Sequence, residues 1–120
     1  FQLNKEMACL FRALAKTVEN YNEDSLRNLI CNYLSRNPKI IDDVRFSQLE
    51  ENKADYVDNM RTTRTWGGGY EINAFCELFG SKVSVYYRNR IIDFVPTSRR
   101  RIIKHVKLDY NGSHYDLRKH

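Results

Sequence analysis

At 120 residues the chain is long enough to bury a core and too short to divide comfortably in two, so a single domain spanning 1–120 is expected. Its 42% hydrophobic and 29% charged residues match a soluble globular protein, which excludes disordered, collagenous and membrane-embedded classes. The formal charge of +5 favours acidic partners; much of it sits in Arg99, Arg100, Arg101 and Lys104, where a solvated basic loop is the plainer reading.

No apolar run approaches the roughly 18–20 residues of a bilayer span, and the N-terminus lacks the basic-then-apolar layout of a signal peptide. A chain beginning at Phe1 reads as a monomeric domain excised from a larger protein. Cys9, Cys31 and Cys76 are odd in number and lack CxxC spacing. That argues against a disulfide framework and points to a reducing compartment, the cytoplasm or the nucleus. Together with His105, His114 and His120 they show no paired ligand spacing, so no metal or other cofactor is expected.

Taken in chain order, Leu10, Phe11, Leu14 and Val18 recur at helical spacing among good helix formers, and predict a helix from Cys9 to about Val18. Asn22 is placed to cap a second helix with an apolar stripe of Leu26, Leu29, Ile30, Tyr33 and Leu34, stopped by Asn37-Pro38. Ser47 to Glu50 forms a capping box opening a third, to about Met60. A loop follows with Trp66 and Gly67-Gly68-Gly69, then a helix from about Glu71 to Phe79 ending at Gly80.

The period then changes from helix to strand. Val83, Val85 and Tyr87 alternate with polar neighbours, a short strand runs from Ile91 to Val95, and Val106, Leu108 and Tyr110 alternate again. Asn111-Gly112 supplies a tight hairpin turn before a return strand from Ser113 to Leu117. A two-residue loop pairs Asp109 with His114 and Leu108 with Tyr115, and sets His114 and Asp116 on the polar side of the strand. The expected fold class is α+β, helices packed around a small, mainly antiparallel sheet.

The chemistry resides in a few residues. A cysteine at a helix start gains thiolate character from free amide donors, and Cys9 sits there. An imidazole can take the thiol proton and return it to a leaving amine while a carboxylate orients the ring; His114 and Asp116 suit those roles. Backbone amides of Ala8 and Cys9 are candidate donors to an oxyanion, and the glycines beside Trp66 permit close approach of an extended peptide. Singly, each has a blander reading: Cys9 as a small core residue, His114 as a surface turn histidine, Trp66 as a core anchor.

Together, Cys9-Leu10-Phe11-Arg12-Ala13-Leu14, Trp66-Gly67-Gly68 with Glu71, Val83-Ser84-Val85-Tyr86 and His114-Tyr115-Asp116 resemble the ovarian-tumour (OTU) family of cysteine proteases over nearly the whole chain. The resemblance implies a papain-like fold and hydrolysis of the isopeptide bond after the Gly-Gly tail of ubiquitin, polyubiquitin or a ubiquitin-like modifier. It implies Cys9 as nucleophile, His114 as base and Asp116 as third member, with Glu6 the alternative. It also places the tail among the Cys9 loop, Trp66, Gly67, Gly68 and the His114-Tyr115 hairpin.

The family's Asp-Gly-x-Cys is here Glu6-Met7-Ala8-Cys9, so a bulky residue stands in the loop shaping the oxyanion pocket. The alternative is therefore an inactive ubiquitin-binding module; a nucleic-acid-binding domain using Arg61, Arg64 and Arg99 to Lys104 ranks below it.

Overall fold

A computed structural model describes residues 9–36, 69–96 and 101–118. The expected helix opened by Ser47 and the Trp66 loop lie outside the described residues, as do Glu6, Met7 and Ala8.

Helix α1 runs Cys9–Ala15, shorter than its apolar periodicity suggests. Thr17 and Val18 donate their amides to Leu14 and Ala15 in tight three-residue turns, and Asn20 takes a left-handed φ of 70°. Helix α2, Glu23–Arg36, starts where Asn22 predicts. Asn22 Oδ1 accepts the Ser25 amide at 2.8 Å while Ser25 Oγ accepts the Asn22 amide at 2.9 Å, so two orphan donors of the helix start satisfy each other's residues. Arg12 forks onto Glu23 at 3.1 and 3.2 Å and ties the two helices together. Helix α3, Gly69–Phe79, ends at Gly80, whose φ of 63° is the left-handed cap glycine adopts without strain.

Four strands follow among the described residues: β1 (Ser81–Tyr87), β2 (Arg90–Phe94), β3 (Lys104–Tyr110) and β4 (Tyr115–Leu117), in the order β2-β1-β3-β4. β1 pairs antiparallel with β2 and parallel with β3, and β3 pairs antiparallel with β4. The sheet is thus mixed, with antiparallel pairs in the majority. Val83, Val85, Val106 and Leu108 turn one face onto Ile72, Phe75 and Cys76 of α3 and the apolar sides of α1 and α2. This core also holds Leu10, Phe11, Leu14, Leu26, Ile30 and Leu34. Arg27 is buried within it, its guanidinium 4.2 Å from the Phe11 ring centre; burial lowers its pKa, while Cys31, Glu71 and nearby acids oppose the shift.

The hairpin register differs from the sequence expectation by two residues: Tyr110 pairs with Tyr115, Asp109 with Asp116 and Leu108 with Leu117. A two-residue type I′ turn needs positive φ at both central positions, and here only Gly112 has it, at 103°. Asn111 instead uses its side chain, Oδ1 accepting from the Ser113 amide at 3.0 Å, the Ser113 hydroxyl at 3.2 Å and the His114 amide at 2.8 Å. The loop therefore holds four residues, Asn111 to His114. Because side chains alternate with period two, a slip of two leaves every residue on its expected face.

Candidate active site

Cys9 opens α1 and is 2% exposed. α1 packs along the outer edge of β4, so the cysteine meets the far end of the chain. The Tyr115 backbone amide donates to Cys9 Sγ at 3.3 Å, across 106 residues of sequence. Sulfur is a weak acceptor, so the contact serves chiefly to tie the start of α1 to β4. His114 immediately precedes that amide and Asp116 immediately follows Tyr115. One short stretch of β4 and its loop thereby carries histidine and carboxylate on either side of the residue whose amide meets the thiol.

Three tyrosines steady this stretch. Tyr115 stacks on Tyr110 at 4.3 Å, Tyr110 leans against Tyr87 at 5.2 Å, and Tyr110 donates its hydroxyl to the Gly112 carbonyl at 2.8 Å. Burial, then the proximity of Tyr110 and Cys9, pushes the Tyr115 phenol up to about 12, so it stays protonated.

His114 Nε2 and Asp116 Oδ2 are 4.0 Å apart, an ion-pair separation longer than the roughly 3 Å of a hydrogen bond. Both side chains are substantially exposed. Asp109, opposite Asp116 in register, is taken by Arg118 at 2.6 Å, which leaves Asp116 as the carboxylate facing His114. Of the sequence-predicted residues, Cys9 and Tyr115 meet at the α1–β4 seam, and His114 faces Asp116 on the adjoining hairpin. Trp66, Gly67, Gly68, Ala8 and the alternative acid Glu6 lie outside the described residues.

The other two cysteines are core residues, both fully buried. Cys76 donates its thiol to the Phe94 carbonyl at 3.5 Å, and burial pushes its pKa up to about 12. Among the described residues no group of three or more His, Cys, Asp or Glu gathers to hold a metal ion, and no helix is long and apolar enough to cross a membrane.

Sequence reasoning missed two features here. The Asn111 carboxamide was read as a backbone turn former, whereas it supports His114 directly. A second polar cluster went unseen: Ser84 Oγ donates to Asp93 at 2.5 Å and lies 2.7 Å from His105 Nε2, joining β2, β1 and β3. Alternation marks Ser84 as facing away from the core, but its partners depend on strand pairing across 21 residues.

Residues 8–120 match the family described as OTU-like cysteine protease, and the chain belongs to that family. Its fold is similar to the OTUD1 OTU domain, with a TM-score of 0.75 and 16% identity over 92% of this chain and 78% of that one. An ovarian-tumour domain solved in complex with ubiquitin gives 0.74 and 22%, over 92% of this chain and 63% of that one. The Hazara virus OTU bound to ubiquitin gives 0.69 and 18%, over 93% and 74%. At such identities the likeness is one of fold. Comparison with curated proteins returns no match.

Proposed function

We propose that the chain is a deubiquitinase that hydrolyses the isopeptide bond following the ubiquitin C-terminal Gly-Gly, with Cys9 as nucleophile, His114 as general base and acid, and Asp116 orienting the imidazole. The observation that carries this reading is the Tyr115 amide on Cys9 Sγ, which ties the residue following His114 to the thiol. Family membership supports the reaction class, and solved neighbours bound to ubiquitin support the substrate.

In this mechanism His114 takes the Cys9 proton and the sulfur attacks the carbonyl carbon of the terminal glycine. The tetrahedral oxyanion collapses, the carbon–nitrogen bond breaks, and His114 passes its proton to the departing lysine amine. Water, deprotonated by His114, then opens the thioester to a carboxylate and the free thiol. The Cys9 and Ala8 amides serve as oxyanion donors, and Trp66, Gly67, Gly68 and Tyr115 border the tail. Cys9 is almost wholly covered, so the tail must displace cover from the sulfur as it enters. Free, buried cysteines suit work in a reducing compartment, the cytoplasm or nucleus.

The direct test is covalent capture by ubiquitin carrying a thiol-reactive group at its C-terminus, read by intact mass. The expected result is one ubiquitin on the wild type and none on Cys9→Ala. Cys9→Ala and His114→Ala should each lower turnover by about 10⁴-fold or more, and Asp116→Ala by less, because its carboxylate reaches the ring only at ion-pair distance. Ubiquitin binding by the wild type with no adduct would transfer the reading to an inactive binding module, consistent with Met7 in the cysteine loop.

A further inference from the structure

At one end of the sheet, beside the chain leaving α1, a cleft of about 1010 Å³ lies between the β1–β2 turn and the β3–β4 loop. Four cations line it, Lys16, Arg88, Arg90 and Arg118, against two carboxylates, Asp109 and Asp116. Arg118 is committed to Asp109, and Asp116 faces His114. Among the described residues no ion pair holds Lys16, Arg88 or Arg90, and Arg88 lies over the Tyr87 ring at 5.0 Å. His114 is part of the wall; Cys9 is not.

The mechanism gives this cleft an occupant. His114 must deliver a proton to the departing lysine nitrogen, so the polypeptide carrying that lysine lies beside His114 at the moment of cleavage. Cys9, which attacks the tail, does not line this cleft, so the tail reaches the sulfur from another side. We infer that the cleft holds the leaving polypeptide and selects acidic sequence around the modified lysine, an inference that rests on the deubiquitinase reading. Uncommitted cations beside the departing amine lower the energy of complexes with Asp- and Glu-rich flanks and disfavour basic ones.

Nucleic acid fits the same cleft less well. Its two carboxylates oppose a phosphate backbone, and the aromatic surfaces a base would stack on are already used. Arg118 covers Tyr86 at 3.9 Å, and Tyr110 is stacked on Tyr115.

The test separates the cleft from the chemistry. Fluorescence anisotropy on Cys9→Ala protein compares a labelled peptide of a lysine flanked by Asp and Glu, a neutral counterpart with Ser and Gly, and single-stranded oligouridylate. The acidic peptide should bind about tenfold tighter than the neutral one, a modest total for three exposed cations. The double variant Arg88→Glu/Arg90→Glu should bring the ratio near one, with Lys16→Glu as a second variant if the double one melts early. In wild type, ubiquitin joined to the lysine of the acidic peptide should be cleaved with about tenfold higher kcat/KM than the neutral conjugate, and the variant should lose that ratio. Equal affinity for both peptides, an unchanged ratio in the folded variants, or tighter binding of oligouridylate overturns the inference. Cleavage of neither conjugate, with the peptide preference intact on Cys9→Ala, upholds the cleft and overturns the deubiquitinase reading.

Discussion

Asn111 offers a way to perturb the base without touching it. Its carboxamide oxygen accepts the Ser113 amide at 3.0 Å, the Ser113 hydroxyl at 3.2 Å and the His114 amide at 2.8 Å. In Asn111→Ala all three are lost. Each is exposed, so water replaces it and the net loss is at the low end of the usual range, about 0.5–1 kcal/mol per backbone bond and about 1–2 kcal/mol in sum. That corresponds to roughly a five- to thirtyfold fall in the ratio of ordered to disordered loop. In the proposed mechanism only the ordered loop presents His114 to the thiol, so kcat/KM on a fluorogenic ubiquitin C-terminal amide should fall by up to about tenfold.

The loop lies at the rim of the sheet, so Tm should drop by only about 4 °C. Asn111→Asp keeps the accepting oxygen and should restore most of the rate. Hydrogen exchange at the His114 amide should quicken in the alanine variant and not in the aspartate one. Wild-type kcat/KM in Asn111→Ala, or an aspartate variant as slow as the alanine one, would refute the claim that this oxygen holds the base in place.

Ser84→Ala should destabilise the fold by about 1–2 kcal/mol, read as a lower urea midpoint, because Ser84 is buried and its hydroxyl joins Asp93 on β2 to His105 on β3; an unchanged midpoint would show that water serves as well. Cys76, with its thiol pushed up to about 12, should stay unmodified by iodoacetamide in the native protein at pH 7.5, where only about one molecule in 30,000 carries the thiolate, and react once denatured. The same shift sets a pH dependence. Between the ordinary thiol value of 9.0 and about 12 the unfolded chain releases this proton while the native chain keeps it, so stability should be flat below about pH 9 and decline above it. The raised Tyr115 phenol adds to the decline above its ordinary value of 10.0.

Local chemistry was legible wherever it is written locally. Asn22 as a cap and Gly80 as a helix stop both follow from side-chain and backbone preferences of single residues, and both stand where expected. The Asn111-Gly112 hairpin shows the boundary of such reading. The dipeptide marks a turn correctly, but whether Asn supplies its backbone or its side chain depends on how Tyr110 and Tyr115 stack once the strands meet. Residue types suited to nucleophile, base and acid could be named from Cys9, His114 and Asp116. That Cys9 meets Tyr115, the residue between His114 and Asp116, follows from α1 packing along β4, a contact between opposite ends of the chain that no local pattern encodes. Burial of Arg27 was equally hidden, since nothing in its neighbours says that this cation turns inward over Phe11.

In the proposed mechanism, the charges around this hairpin join orientation of the base to recognition of the leaving group. Asp109 and Asp116 stand opposite each other in register, an arrangement that like charges disfavour unless each has its own counterion. Arg118 supplies one for Asp109 and, lying over Tyr86, is held from two sides; His114, when protonated, supplies the other for Asp116. Each half of this pairing makes the other more favourable: with Asp109 neutralised, Asp116 is left to His114, the group that carries the proton in the proposed mechanism. The cations beyond this set, Lys16, Arg88 and Arg90, are not needed to balance it and remain available to whatever enters beside His114. A hairpin built in this way sets one arginine on Asp109, leaves Asp116 to the His114 ring and keeps three further cations on the wall of the same cleft.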